Sequence, residues 1–65
     1  MQTTLSPTEL RLLRQLSHGP TNRELAEFFS ITVGTTKWRL YQMFQKLGVR
    51  NRTAAVARAR EMGII

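Results

Sequence analysis

Three side chains at helical spacing, Trp38, Tyr41 and Gln42, pose the chemical question of this sequence. At about 100° per residue they share one side of a helix with Gln45, while Val33, Thr36, Leu40, Met43, Phe44 and Leu47 share the other. The second group is a core stripe. The first is polar and aromatic with an indole near its middle, where a small domain normally carries a charge or an alanine, because an exposed indole gains nothing from water. A carboxamide and two aromatic donors recognise by hydrogen bond and van der Waals contact, so this helix is built to touch something.

Bond-making chemistry finds no support elsewhere in the chain. His18 is the only histidine, beside Gly19 at a helix end, where it reads as a C-terminal cap. Cysteine and aspartate are absent, the serines have no base partner, no carboxylates pair on a common concave face, and no Gly-rich phosphate loop occurs. The expectation is a binding protein rather than an enzyme, with no cofactor and no metal.

The elements that hold these side chains are few: 65 residues make one domain that buries only about 60% of its unfolded surface. Without cysteine or the ligand spacing of a zinc site, caps and helix packing must supply stability, which favours a compact all-α fold. Ten Lys and Arg against four Asp and Glu leave a net charge of +6, and arginine supplies eight of the ten cations, so polyanions are the natural partner. The N-terminus lacks the basic-then-apolar run of a signal peptide, and no apolar stretch approaches the ~18 residues of a membrane span. A soluble, cytoplasmic protein is expected.

Four helices are expected, over about 7–18, 22–29, 33–47 and 52–62. Ser6 and Glu9 spell a capping box around Pro7, Leu5 can pack on Leu10, Leu12, Leu13 and Leu16 face inward, and Gly19-Pro20 stops the first helix. Glu9 falls in phase with the leucines. It reads either as a first-turn carboxylate satisfied by its own helix N-terminus or as an inward ion pair with a cation such as Arg52. Thr21 to Glu24 form a second capping box ahead of the stripe Leu25, Ala26 and Phe29.

After a turn at Ser30-Ile31, Thr32 caps the third helix, leaving three unpaired amides at Val33, Gly34 and Thr35. Gly34 costs up to ~1 kcal/mol against alanine there, which makes sense if the backbone must approach another surface closely, and equally as tolerance of an end position. Gly48 ends this helix. Asn51 caps the fourth, with Ala55, Val56, Ala59 and Met62 inside and Gly63 as its stop. Its outer face carries Ala54, Ala57, Arg58 and Glu61, a flat strip that suits a second helix, or simply good helix formers at solvated positions.

A short helix, a tight turn and a longer helix with a polar, aromatic-bearing outer face, in a basic domain, is the helix-turn-helix arrangement. The opening LSPTE, the TNRELA helix, the ITVGTTK turn, KLGV and NRTAAVARAREMG together resemble a LuxR-type (GerE-like) DNA-binding domain from Leu5 to Ile65. Trp38 with KLGVRNRT and the ARAREMGII ending is most similar to the C-terminal domains of large ATP-dependent regulators of the MalT type. Departures from the family pattern are Thr36 in place of valine, which turns a hydroxyl inward and weakens a staple with Ile31, Arg39 in place of histidine, and the aromatic Tyr41 in place of a basic or polar residue.

The resemblance implies a bacterial transcription regulator whose third helix enters the major groove of double-stranded DNA. Base reading carries over to Lys37, Trp38 and Tyr41, with Gln42 added from helix phase; the Lys37 stem must swing out from the flank of the stripe. Phosphate contact carries over to Thr21, Asn22, Arg23, Thr35 and Lys46. Lysine suits guanine O6 and N7 and Gln42 suits adenine, while Trp38 and Tyr41 offer van der Waals contact to thymine methyls or sugars plus one donor each. A weak homodimer on DNA through Ala54, Ala57, Arg58 and Glu61 is expected, as is an N-terminal sensor or ATP-binding region outside these 65 residues. The competing reading is a protein-interaction module that docks or sequesters a partner regulator on Trp38, Tyr41 and Phe28. RNA is a weaker third, since a helix lacks the stacking sheet of common RNA modules.

Overall fold

Each helix begins on a side chain that supplies a hydrogen bond its first turn cannot make internally. In the computed structural model, which describes residues 5–65, these are α1 (Pro7–Leu16), α2 (Asn22–Phe29), α3 (Val33–Leu47) and α4 (Arg52–Glu61). Ser6 Oγ accepts from the Glu9 amide at 3.1 Å while Glu9 Oε1 accepts from the Ser6 amide at 2.8 Å, and Thr21 and Glu24 repeat the exchange at the same two distances. Thr32 Oγ1 accepts from the Thr35 amide at 3.0 Å, and Asn51 Oδ1 from the Ala54 amide at 2.8 Å. Of the three amides expected to be unpaired at the start of α3, Thr35's is thus capped, and those of Val33 and Gly34 remain.

Three of the four helix ends share a device. Ser30, Gly48 and Gly63 take left-handed backbone, and the next amide, of Ile31, Val49 or Ile64, donates back to the carbonyl of Ala26, Phe44 or Ala59 at 2.9 to 3.0 Å. The aliphatic residue after each turn is thereby folded back, and Val49 and Ile64 pack on the core. α1 ends at Leu16 rather than 18. Ser17, His18 and Gly19 donate to the carbonyls three residues back, tightening the last turn, and Ser17 Oγ also donates to the Arg14 carbonyl.

The core is one cluster: Leu12, Leu13 and Leu16 of α1, Leu25 of α2, Leu40, Met43 and Leu47 of α3, and Ala55 and Ala59 of α4. α2 packs on α3 across the Ser30-Ile31 turn, and α4 lies against both α1 and α3. The two alanines let α4 approach closely. Thr36 is fully buried and its hydroxyl donates to the Thr32 carbonyl at 2.9 Å, which satisfies the inward polar group that replaces a valine.

Two expected core residues lie outside. Val33 is exposed, because it stands in the first turn of α3, where the stripe has a direction but no neighbour to meet. Met62 is exposed too: α4 stops at Glu61, the chain reverses at Gly63, and Ile64 covers the helix end instead. Arg52 is not Glu9's partner. Its Nη1 donates to the Pro20 carbonyl at 2.6 Å and ties the start of α4 to the link between α1 and α2. Among the described residues no helix is long and apolar enough to cross a membrane.

Candidate nucleic-acid interface

α3 turns Thr36, Leu40, Met43 and Leu47 into the core, so Lys37, Trp38, Tyr41 and Gln42 face outward, and all four are exposed. Trp38 is 58% and Tyr41 54% accessible, values that exclude a core role for either ring. The rings lie against each other with centroids 5.8 Å apart and planes 21° from parallel. They form one apolar block, with lysine and glutamine beside it.

An open cleft runs along one edge of this face. Thr35, Trp38, Arg39, Gln42 and Lys46 line it from α3, and Thr8, Glu9 and Leu12 of α1 line it with the cap residue Ser6. Helix phase identifies the α3 side of that cleft from sequence; the α1 side depends on which helix packs alongside, and no local signal announces Thr8 or Ser6 as its neighbours. Arg39 is legible only as a departure from a family pattern; helix phase sets it beside Gln42, three residues on, and the fold brings α1 alongside both.

Of the residues expected to meet phosphate, Arg23 is exposed at the start of α2. Thr21 is exposed as well, with its hydroxyl and amide both engaged in the capping box. Asn22 is half-buried and its Oδ1 is enclosed without a hydrogen-bond partner, so only its amide nitrogen can serve an anion, which accepts and never donates. Thr35 accepts a bond from the Thr32 hydroxyl at 2.9 Å. Lys46 Nζ donates to Glu9 Oε1 at 2.8 Å, its own side chain 45% and that of Glu9 15% accessible.

Both readings of Glu9 therefore hold in part: it closes its own capping box and it pairs with a cation, which is Lys46. Burial on its own would raise the Glu9 pKa. The hydrogen bonds from Lys46 and from the Ser6 amide, with the ammonium charge, outweigh burial and hold the carboxyl below its usual value.

Phe28 is 51% exposed but stands apart from the Trp38–Tyr41 pair in its ring contacts. It meets Phe29 edge-on at 4.9 Å, and the Arg11 guanidinium covers both rings at 5.9 and 5.5 Å. On α4, Ala57, Arg58 and Glu61 are exposed and Ala54 is half-buried. Among the described residues no group of three or more His, Cys, Asp or Glu is placed to hold a metal.

This arrangement has close relatives. The family model for bacterial regulatory proteins of the luxR family matches residues 3–59. The chain is 42% identical over 64 residues to the HTH-type transcriptional regulator AlkS of Alcanivorax borkumensis, a match covering 98% of this chain and 7% of that protein. It is 39% identical over 61 residues to the HTH-type quorum sensing-dependent regulator RpaR of Rhodopseudomonas palustris, covering 94% and 25%. The crystal structure of the response regulator ChrA of a heme-sensing two-component system matches with a TM-score of 0.91 at 40% identity, over 100% of this chain and 32% of that one. The chain thus spans less than a third of the length of each of these relatives. From the match over most of its length, and from four helices that agree with a solved relative throughout, the chain belongs to the luxR family of bacterial regulatory proteins, as that family's DNA-binding helix-turn-helix domain.

Proposed function

We propose that this domain binds double-stranded DNA with sequence selectivity in bacterial transcription regulation, with α3 in the major groove. The observation that carries the reading is the outward face of α3, where Lys37, Trp38, Tyr41 and Gln42 are all exposed on a domain of net charge +6. Gln42 and Lys37 supply donors for base edges, and the aromatic pair supplies apolar contact. Thr21, Asn22, Arg23, Thr35 and Lys46 meet phosphates on either side, holding register without reading sequence. Specificity arises in part from DNA shape, since two aromatic rings discriminate chemically less than bidentate partners.

The AlkS and RpaR relatives are transcriptional regulators by name, and each is much longer than this chain. On this reading the domain works in the cytoplasm, on the nucleoid, under the control of a sensor or ATP-binding region N-terminal to it. Two copies pair weakly on DNA through Ala54, Ala57, Arg58 and Glu61.

Salt decides between this reading and a protein-docking one. A domain that neutralises four to six phosphates should lose affinity with a log–log slope of about −4 to −5, whereas a protein partner held on Trp38 and Tyr41 should bind almost independently of salt. Selection of bound DNA from a random pool, followed by titration between 50 and 200 mM salt, supplies the measurement. A flat response would overturn DNA binding, and a steep slope with no sequence enriched would overturn selectivity.

A further inference from the structure

We infer that the Trp38–Tyr41 pair is a reader of pyrimidine C5-methyl groups, and that it selects two adjacent base pairs that each carry one. The inference deepens the major-groove reading and rests on it. Its starting point is the stack: two rings more than half exposed, 5.8 Å between centroids, 21° between planes, on the outward side of α3. Because the rings already pack on each other, the apolar block is assembled before anything binds, and little side-chain freedom remains to be lost.

The complement of such a block in the major groove is chemically narrow. Base edges there present acceptors and donors, which lose hydrogen bonds if an apolar face covers them, and the one apolar group on offer is the methyl at C5 of thymine. Trp38 and Tyr41 have a single donor each, so they cannot satisfy a bidentate edge as Lys37 or Gln42 can. A block placed over methyls loses water from both surfaces without orphaning a polar atom. Over cytosine it finds no methyl, and over a purine edge it covers polar groups.

The dimensions set the number of methyls. Successive base pairs are about 3.4 Å apart along the duplex, so rings with centroids separated by 5.8 Å reach across two neighbouring pairs and fall short of three. Lys37, on the flank of the block, and Gln42, one residue beyond Tyr41, then read polar edges next to the methyl step.

The test removes methyls and nothing else. In the sequence selected by the 65-residue chain, each thymine is replaced singly by deoxyuridine, which keeps every hydrogen-bonding group. One methyl is worth about a fourfold change in affinity, so two adjacent base pairs should each show about that loss and other thymines should show none. Trp38→Ala and Tyr41→Ala, with helical content checked by circular dichroism, should bind more weakly and lose the difference between thymine and deoxyuridine. If either variant unfolds, the scan on the unaltered chain still decides. Deoxyuridine tolerated at every position by a chain that binds the site with a steep salt slope would overturn methyl reading and leave DNA binding standing. Failure to bind DNA in a salt-dependent way would overturn both.

Discussion

Lys46, in the last turn of α3, donates to the carboxylate of Glu9, in the first turn of α1, across 2.8 Å. The same carboxylate accepts from the Ser6 amide, so one acidic group closes a helix N-terminus and fixes a cation at the edge of the α3 face. This joins a local capping rule to a long-range contact 37 residues apart in sequence.

Glu9→Gln separates those two jobs, because glutamine can keep the reciprocal bond of a capping box but brings no charge. The Glu9 carboxyl is held below its unfolded pKa. Its stabilisation is therefore fully present above the unfolded value and is lost as pH falls through the folded value. With Lys46 nearly half exposed, the pair contributes about 0.2 to 1 kcal/mol. Urea unfolding should show the wild type more stable than Glu9→Gln by that amount at pH 7, with the gap closing toward pH 3. A gap that persists at pH 3 would assign the effect to shape or capping and not to charge.

Arg23 and Lys46 meet phosphate in the proposed complex. Changing either to Ala should weaken binding to matched and unrelated DNA alike and reduce the salt slope by about one unit. For Lys46 the loss is partly offset in the free protein, where Glu9 is left with its capping bond alone. Gel-shift titrations of both variants on a selected site and a scrambled one would check this, and a loss confined to the selected site would make that residue a base reader.

Gly34 has room for a side chain: a Cβ built there meets only Thr32 Oγ1, at 3.9 Å, an ordinary contact. The fold itself does not require glycine at this position. Gly34→Ala should raise stability by about 0.5 to 1 kcal/mol while weakening DNA binding, if the start of α3 approaches the duplex closely. Thermal unfolding and a binding isotherm on the same variant measure both, and a stabilised protein with unchanged affinity would reduce Gly34 to a tolerated end residue.

Pairing through α4 is expected to be weak without DNA. A strip of Ala54, Ala57, Arg58 and Glu61 falls well short of the ~800 Å² per partner of a standard interface, so the free domain should sediment as a monomer. On adjacent half-sites the effective concentration rises toward the millimolar range, and the same contact suffices. Ala57→Glu should then abolish cooperative binding to an inverted-repeat operator with half-sites about one helical turn apart, and spare one-site affinity. Cooperativity that survives in this variant would move the contact elsewhere.

Features that depend on neighbours along the chain are legible in the residues alone. Ser6 with Glu9, Thr21 with Glu24, Thr32 and Asn51 start four helices, and Gly48 and Gly63 end two of them, because caps and left-handed turns are set within a few residues. The same locality made the exposure of Trp38 and Tyr41 legible, since helix phase alone puts them opposite Leu40 and Met43. Other features depend on which elements meet in space. Ser30 ends α2 in a left-handed conformation that serine does not favour, stabilised by the Ile31 amide reaching Ala26 and by α2 and α3 packing across the turn. Val33 and Met62 point along apolar stripes and still meet solvent, because burial needs a neighbouring element and phase supplies only a direction. Whether Glu9 found Arg52 or Lys46 was likewise a question of which helix ends come together in space: Arg52 is taken by the Pro20 carbonyl, and the end of α3 lies beside the start of α1.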